Sequence, residues 1–256
     1  MATISVVLAT YNEEKNLPAC LDSVEDLADE IVVVDGWSKD RTVQIAKKYG
    51  AKVKITNNPL IFHINKQKAI DMAAKNWVLQ LDADEHVTPE LREEIKEVIK
   101  KKKSKISGYW IPRKNWFLGK FLMKGGQYPD YTLRLYKRGK GKLPQKTVHE
   151  QAVVDGEVEY LKNPLLHYPY KNFGMYLEKW NRYTDLIATQ IKDQLREKNL
   201  ATKIFYMMDF IFIKPIFWFA NTYIRHKGFY DLWPGFVFSF FSSLRFPVGY
   251  LKYLGK

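Results

Sequence analysis

The chain has 256 residues, 46% of them hydrophobic, so it can bury a sizeable core as one large domain or as one domain with an elaborated C-terminal part. This composition excludes a disordered protein, and the single cysteine, Cys20, excludes a disulfide framework or a multi-cysteine metal site. The net charge of +13 is uneven: residues 1–99 carry 12 basic and 17 acidic residues, and the rest of the chain has an excess of 18 positive charges. This asymmetry indicates a polyanionic partner, which could be nucleic acid, anionic lipid headgroups or a phosphorylated substrate.

Strands alternate with helices through the first part of the chain. The apolar, β-prone runs that we predict to be strands are residues 4–9, 30–34, 52–56 and 77–81, with helices between them. This alternation predicts a parallel sheet with right-handed crossovers. The first strand has no basic segment before it, so we expect no signal peptide and a protein that stays on the cytoplasmic side.

Carboxylates follow the fourth predicted strand directly, at Asp82, Asp84 and Glu85. Because strand side chains alternate, Asp82 and Asp84 are expected to point the same way and to offer two hard oxygen ligands to Mg²⁺ or Mn²⁺. The alternative interpretation is a solvated acidic turn before the next helix.

Polar residues also end the first two strands, at 10–13 and at Asp35. The carboxyl ends of parallel strands meet at one edge of a sheet, where ligands bind in open α/β folds. We therefore predict a nucleotide pocket in which Asp35 accepts from a base or ribose, Asp82 from a ribose hydroxyl, and Asp84 holds a divalent metal on a diphosphate. The glycine-rich dinucleotide and P-loop motifs are not present in the sequence, so metal and side chains must hold the phosphates.

The second half of the chain has a different pattern. Shorter β-like pieces follow residue 108, and residues 113–146 hold ten basic residues against one acid, with aromatic residues between them, a mixture suited to an anionic acceptor. We predict a long amphipathic helix over residues 172–198. Residues 204–256 hold 18 of the 38 aromatics together with scattered Lys and Arg, which suits helices lying in the headgroup layer of a membrane. A core helical pair or an oligomer contact is the alternative.

Several motifs occur in an order that resembles the family 2 glycosyltransferases with the GT-A fold, most strongly over about the first 90 residues. These motifs are Thr10-Tyr11-Asn12-Glu13, Asp35-x-x-Ser38-x-Asp40-x-Thr42 and Leu81-Asp82-Ala83-Asp84-Glu85. Looser matches resemble the lipopolysaccharide core glycosyltransferase branch of the family. They are residues 77–85, Leu133-Arg134-Leu135, Val148-His149-Glu150 and Lys179-Trp180-Asn181-Arg182-Tyr183.

The resemblance implies an α/β fold of the GT-A type: a Rossmann-like, mostly parallel central sheet flanked by helices, with a helical, aromatic-rich C-terminal extension. The expected division is a catalytic domain over residues 1–170, whose nucleotide-sugar-binding half is 1–99 and whose acceptor half is 100–170. A helical region over residues 171–256 is expected to associate with a membrane.

The resemblance also implies a hexosyltransferase that inverts the sugar during transfer from a nucleotide sugar, with UDP as the expected nucleotide and Mg²⁺ or Mn²⁺ as cofactor. The residues that it assigns to the nucleotide sugar are Thr10, Tyr11, Asn12, Glu13 and Asp35 at the nucleobase end, Lys66 at the phosphates, and Asp82 and Ala83 at the ribose. Asp84 would bind the metal, and His167 is a second candidate ligand for it.

Glu150 is the residue that we expect to act as the base toward the acceptor hydroxyl, with His149 orienting the base or the acceptor. Glu85 is then a helix-side acid. Arg113 and Arg134 are candidates to clamp phosphates or the acceptor, since a guanidinium fork matches phosphate geometry. The alternatives are a surface position for Glu150, a packed core position for His167 and a solvated one for Arg113.

Two departures from the family pattern concern the donor. Gly36 and Trp37 follow Asp35, where a small residue and often glycine are usual, so Trp37 could line the base pocket or only pack. The segment from Asn65 to Ala69 also departs from the usual pattern around Lys66. The motifs therefore predict the type of reaction and leave the identity of the donor open.

The acceptor expected from this resemblance is lipid-linked or of the lipopolysaccharide-core type, reached from the inner face of the cell membrane by a peripheral enzyme attracted to anionic lipid. Transfer to a polyprenyl phosphate is an alternative within the same fold. A basic nucleic-acid- or membrane-binding module without catalysis is the alternative of another class. We expect no nucleic-acid partner, because the helix-turn-helix, zinc and RNP signatures are missing from the sequence. The sequence leaves the oligomeric state open.

Overall fold

The computed structural model describes residues 2–101, 105–145, 151–170 and 172–255. Its strands are β1 Ile4–Thr10, β2 Glu30–Asp35, β3 Lys52–Ile55, β4 Trp77–Leu81, β5 Glu85–Val87, β6 Ile106–Phe117, β7 Lys120–Leu122, β8 Asp130–Lys137, β9 Gly141–Lys142, β10 Val153–Val154, β11 Glu157–Tyr160 and β12 Leu165–His167. Its α-helices are α1 Leu17–Asp22, α2 Thr42–Lys48, α3 His63–Asp71, α4 Pro89–Ile99, α5 Phe173–Leu195, α6 Leu200–Met208, α7 Lys214–Phe219 and α8 Leu232–Leu254.

The main sheet has the strand order β3-β2-β1-β4-β8-β6-β12-β5. Strands β3, β2, β1 and β4 are parallel neighbours, which confirms the predicted β-α-β alternation. Strand β8 then joins β4 in the antiparallel direction, and β6 pairs antiparallel with β8. The fold is thus α/β with a mixed sheet, and the carboxyl ends of β1, β2 and β4 lie at one edge.

Burial on both faces explains the continuous apolar runs of the parallel strands. All five residues of β4 are buried. On β1, Val6 and Leu8 pack in a cluster with leucines of α1 and α4, whereas Val7 packs in a second cluster with Ala69 of α3. The alternation of β1 therefore places helices on the two opposite faces of the sheet.

The helix ends follow local sequence signals. A threonine followed by a proline favours the start of a helix, and Thr88 caps α4 by accepting from the Leu91 amide at 3.1 Å, with Pro89 in the first turn. Asn172 caps α5 in the same way through the Met175 amide at 2.9 Å. Helix α3 ends at Asp71.

The chain divides into two compact units. The first comprises Met1–Arg113 and Asp130–His167, and the second comprises Lys114–Pro129 and Tyr168–Lys256. In the second unit α5 packs along α8, and the indole nitrogen of Trp180 donates to the carbonyl of Phe241 at 2.8 Å. Among the described residues, none of the helices combines the length and the apolarity needed to cross a bilayer.

Candidate functional site

Asp35 ends β2 beside the end of β1, because the parallel register pairs it with Thr10. Its carboxylate is fully buried. It accepts from the hydroxyl of Thr10 at 2.9 Å, from the hydroxyl of Ser38 at 2.6 Å and from the amide of Ser38 at 2.8 Å. Asp35 therefore fixes the loop that follows β2 against the end of β1.

The loop after β1 is tied to the loop after β2 by a second set of hydrogen bonds. Asn12 adopts a left-handed backbone (φ 56°), its amide donates to the Ser38 hydroxyl at 2.8 Å, and its side-chain oxygen accepts from the Lys39 amide at 2.8 Å. The Glu13 amide donates to the hydroxyl of Thr42 at 2.7 Å. The motif residues of the two loops are thus hydrogen-bonded to each other, although some 25 residues separate them in sequence.

Trp37 and Tyr11 are large hydrophobic side chains that these two loops leave at the surface. Trp37 is 61% exposed and Tyr11 is 45% exposed, so the interpretation that Trp37 only packs is wrong. Trp37 also has a φ of 69°, a conformation that is strained for any residue with a Cβ. An exposed aromatic side chain is thereby held in a strained backbone next to the Asp35 network.

The residues Asp82 to Asp84 form a turn between β4 and β5. The strand ends at Leu81, the Glu85 amide donates to the Asp82 carbonyl at 3.0 Å, and the Asp82 amide donates to Glu85 Oε2 at 2.9 Å. The expectation that Asp82 and Asp84 alternate along one strand and point the same way is therefore wrong. Ala83, between them, is buried in the core of the first unit.

Asp82 lies between two cations. Arg134 approaches Asp82 Oδ2 at 2.7 Å, and the Lys66 ammonium contacts Asp82 Oδ1. Burial opposes ionisation of Asp82, but the charges of Arg134 and Lys66 outweigh it and hold the pKa of Asp82 well below its ordinary value. The alternative of a solvated acidic turn does not describe this residue.

Lys66 is buried as well. Burial lowers the pKa of its ammonium, and the neighbouring Asp82 carboxylate partly offsets that shift. The ammonium also lies 4.8 Å from the centroid of the Phe62 ring. This cation on α3 thus depends on Asp82 for its stabilisation.

Glu85 is a fully buried carboxylate, to which two arginines donate. Arg134 lies 2.8 Å from Glu85 Oε1 and Arg113 lies 3.2 Å from the same oxygen, while Arg113 also pairs with Asp130 at 2.7 Å. Burial disfavours the charged guanidinium of Arg113, yet Glu85 and Asp130 outweigh it and raise the pKa of Arg113. Neither arginine is solvated: both help to hold the turn at Asp82.

Arg134 also donates to the side-chain oxygen of Gln80 within β4. Burial also disfavours the charged guanidinium of Arg134, but Asp82 and Glu85 outweigh burial and raise the pKa of Arg134 above its ordinary value. Sequence reasoning missed the roles of Gln80, Glu85 and Asp130 in this network. A glutamine inside an otherwise apolar strand was the signal that could have indicated it.

Asp84 contacts His167, at the end of β12. The antiparallel register of β5 and β12 pairs Glu85 with His167, and the His167 Nε2 atom lies 3.5 Å from Asp84 Oδ2. The histidine is thus a neighbour of the acidic turn, as a candidate ligand should be. Burial lowers the pKa of the adjacent His86, with Asp84 acting in the opposite direction.

A carboxylate oxygen and an imidazole nitrogen at this separation fit a shared divalent ion, because two adjacent ligands of an octahedral ion, each about 2.1 Å from it, lie about 3 Å apart. Three or more metal-binding side chains do not cluster anywhere in the described ranges, so the protein groups found there would need further ligands from the substrate or solvent. Glu150 and His149 lie outside the described residues.

Comparison with known proteins places these features in a family. The model of the family described as Glycosyl transferase family 2 matches residues 5–153. The lipopolysaccharide core biosynthesis glycosyltransferase LpsC of Rhizobium meliloti (strain 1021) is 30% identical over 94% of this chain and 91% of that protein. The uncharacterized glycosyltransferase RT0209 of Rickettsia typhi is 28% identical over 96% of this chain and 85% of that protein.

Among solved structures, S. aureus TarS superposes with a TM-score of 0.50 at 21% identity, covering 89% of this chain but only 45% of the TarS chain. That likeness concerns the fold alone. The family match excludes the alternative of a module without catalysis. The chain belongs to glycosyl transferase family 2 and is a glycosyltransferase with the GT-A fold.

Proposed function

We propose that the protein transfers a sugar, with inversion, from a nucleotide-sugar donor to a lipid-linked or lipopolysaccharide-core acceptor, with the help of a divalent cation. The observation that carries the proposal is the division of the acidic turn, in which Asp82 is held by Lys66 and Arg134 while Asp84 faces His167. One carboxylate is thereby fixed for recognition of the donor, and the other is left accessible to a cation.

The nucleobase end of the donor would lie against the loops after β1 and β2. Both oxygens of Asp35 already accept hydrogen bonds, but a carboxylate has about four acceptor sites, so Asp35 can still accept from a base or ribose. Trp37 and Tyr11 offer exposed rings on which a base can stack. We take uracil as the base, so that the donor is UDP-linked, and Thr10, Asn12 and Glu13 keep these loops in place.

Asp82 would accept from a ribose hydroxyl beside the backbone of Ala83, and the cations around it would face the diphosphate. Lys66 and Arg134 are both buried, and their positive charge acts more strongly on phosphate oxygens there than it would in water. Pre-arranged cations of this kind stabilise the negative charge that develops on a leaving diphosphate. Arg113, which is tied to Glu85 and Asp130, would support Arg134 and not contact the donor.

Asp84 and His167 are the residues that would hold Mg²⁺ or Mn²⁺, with the diphosphate oxygens completing the ligand set. When bound, the cation would supply a positive charge that offsets the charge gained by the leaving group. Magnesium prefers oxygen ligands, so a ligand set that includes an imidazole nitrogen favours Mn²⁺.

The acceptor hydroxyl would attack the anomeric carbon, form the new glycosidic bond and release the nucleoside diphosphate with the bonding electron pair. Its proton would pass to the carboxylate of Glu150, with His149 orienting the acceptor. These two roles rest on the family resemblance of the Val148-His149-Glu150 segment. A base on the side of the sugar opposite to the leaving group accounts for inversion.

The similarity to LpsC along nearly the whole chain supports a lipopolysaccharide-core acceptor. Such an acceptor is lipid-anchored, so the protein would work as a peripheral enzyme at the inner face of the cell membrane. Transfer to a polyprenyl phosphate is the second candidate, and it differs in needing no saccharide on the acceptor.

Thermal unfolding in a panel of nucleotide sugars, with and without Mn²⁺ or Mg²⁺, tests the donor, because a ligand that binds only the folded state raises its stability. We expect one donor to stabilise the protein in a cation-dependent manner. Asp84→Asn should lose the cation dependence, and Asp155→Asn, which changes an exposed carboxylate paired with Lys140, should retain it. Failure of every donor to stabilise the protein would contradict the proposal.

A transfer assay then separates the remaining roles. Glu150→Gln should keep donor binding and lose transfer, and wild-type turnover in that variant would show that another group is the base. Comparison of core oligosaccharide-lipid with polyprenyl phosphate as acceptors decides between the two candidate reactions.

A further inference from the structure

The helical segment from Leu200 to Arg225 has an exposed face that the proposed reaction does not use. Helix α6, a π-helical stretch at Asp209–Ile213, helix α7 and a second π-helical stretch at Ala220–Arg225 follow one another without a break. Six exposed apolar side chains of this segment make up what we call the apolar face: Phe205, Met208, Phe212, Ile213, Ile216 and Phe217. Ile216 is 70% exposed and Phe217 is 61% exposed.

The opposite side of the segment packs against α8. The Phe210 ring lies 6.1 Å from Phe246 and 6.3 Å from Tyr250, and the Trp218 ring lies 5.9 Å from Phe246, measured between ring centroids. Inward residues such as Phe210 and Trp218 thus alternate along the segment with outward residues of the apolar face. The apolar face therefore cannot be covered by α8, which the other side of the same segment already contacts.

Charge along the segment is almost entirely positive. Residues 198–227 contain five basic residues and a single acid, Asp209. Asp209 is neutralised by Lys214, whose ammonium lies 2.8 Å from the carboxylate and 3.6 Å from the centroid of the Phe210 ring. Since π-helical turns bring residues five apart together, this pair follows from the local helix geometry. Arg225 and Lys227 remain exposed at the end of the segment.

Aromatic residues of the interfacial type follow this segment directly. Tyr230, in the turn that leads into α8, is 62% exposed, and Trp233, in the first turn of α8, is 67% exposed. Tyr and Trp are enriched at the boundary between headgroups and acyl chains, where one end of the side chain is apolar and the other is wet. Large apolar side chains, flanking cations and boundary aromatics together match a helix lying in a membrane interface.

We propose that the apolar face is a docking surface for an anionic lipid bilayer, with its apolar side chains at the acyl boundary and its cations against lipid phosphates. A second copy of the chain is the less suitable occupant, because facing copies would bring two positively charged segments together. This surface would bring the enzyme to its lipid-anchored acceptor. The existence of such an acceptor rests on the proposed function. The contact itself requires no donor, cation or turnover.

Co-sedimentation of the full-length protein with vesicles tests the inference. The vesicles are phosphatidylcholine alone or phosphatidylcholine mixed with phosphatidylglycerol, and no nucleotide sugar is added. The wild-type protein should bind the mixed vesicles, and it should bind less tightly to neutral vesicles or at high salt. The double variant Ile216→Glu with Phe217→Glu should bind the mixed vesicles about tenfold more weakly or worse.

A matched control adds the same two charges elsewhere. Leu60→Glu with Val153→Glu also replaces two exposed apolar residues by glutamate, but outside the apolar face, and it should bind vesicles as the wild type does. A third variant, Arg225→Gln with Lys227→Gln, should weaken binding to mixed vesicles and leave the weaker binding to neutral vesicles unchanged. Thermal unfolding of each variant confirms that it is folded.

Three results would overturn the inference. The first is that the wild-type protein does not sediment with mixed vesicles, and the second is that the double variant sediments as well as the wild type. The third is a dimer in light scattering that the double variant converts to a monomer while vesicle binding is unaffected, since the apolar face would then hold a second copy. Stabilisation of the protein by the donor is measured without vesicles and does not depend on vesicle binding. Failure of the membrane-docking proposal is therefore distinguishable from failure of the proposed reaction.

Discussion

The guanidinium of Arg134 lies 2.8 Å from Glu85 Oε1. The other carboxylate oxygen of Glu85 accepts from the Asp82 amide at 2.9 Å, so this ion pair helps to set the shape of the acidic turn. Arg134 also contacts Asp82 itself, and it therefore links the backbone and the side chain of the same residue. A buried acid next to the proposed metal ligand Asp84 can thus have a positioning role without touching a substrate.

Replacement of Arg134 by methionine should destabilise the protein strongly. The variant removes one of two arginines from the buried Glu85 and one of two cations from Asp82, and breaking a buried ion pair from one side costs about 3–5 kcal/mol. Arg134→Lys keeps the charge but not the planar fork, so its loss should be smaller. Urea unfolding measures both changes, and a cost below about 1 kcal/mol for Arg134→Met would show that the network contributes little.

Trp37→Gly should affect stability and donor binding differently. Glycine relieves a strained φ of 69°, worth roughly 1–2 kcal/mol, but it loses more chain entropy on folding, so stability should stay within about 1 kcal/mol of the wild type. Loss of a stacking ring should weaken donor binding by about 1–3 kcal/mol. Titration calorimetry with the nucleotide measures this loss.

Trp37→Phe is the matched control for that experiment, because it keeps a ring at the same position. It should retain most of the donor affinity. If Trp37→Gly bound the nucleotide as tightly as the wild type, Trp37 would have no contact with the base.

Glu30 should contribute stability that depends on pH. Burial opposes its ionisation, but Lys52 at 2.5 Å, Ser5 at 2.5 Å and the Ala74 amide at 2.8 Å together lower the pKa of Glu30 from 4.5 to about 2. Since the folded pKa lies below the unfolded one, this stability is fully present above about pH 4.5 and is lost as the pH falls toward about 2. It amounts to at most about 3 kcal/mol.

Glu30→Gln should therefore be less stable than the wild type at neutral pH, and the difference should shrink as the pH falls through that window. Chemical unfolding at a series of pH values measures it. Asp155→Asn provides the comparison, because Asp155 and its partner Lys140 are both exposed and the pair should add little stability at any pH. A difference between Glu30→Gln and the wild type that stayed constant with pH would contradict the assignment.

Gly235→Ala should disrupt the start of α8. A Cβ at this position would overlap the backbone carbonyl of Gly228 in the preceding turn, which cannot move as a flexible side chain would. Overpacking of this kind costs typically about 1–3 kcal/mol. Gly255→Ala, near the end of the same helix, meets nothing closer than 3.8 Å and should be tolerated. Thermal unfolding of the two variants compares them, and equal stability would show that the backbone shifts freely at Gly235.

The sequence by itself determined the parallel part of the sheet, the helix start at Thr88, and the family. These features depend on local signals: the period of apolar residues, the residue before a helix, and short motifs at strand ends. The resemblance also assigned different partners to Asp82 and Asp84, an assignment that stays a prediction. Because parallel strands run in the same direction, the sequence also predicted the edge of the sheet at which the motif residues meet.

Only the tertiary structure decided what these side chains contact. Arg134 and Asp82 are separated by 52 residues, so no local pattern could pair them. Glu85 holds the turn at Asp82, and two arginines in turn hold Glu85. These arginines come from β6 and β8, which are antiparallel neighbours in the sheet. The exposure of Trp37 and of the apolar face likewise depends on which surfaces other elements cover. Long-range pairing and burial are properties of the packed chain, and for that reason the sequence alone left them open.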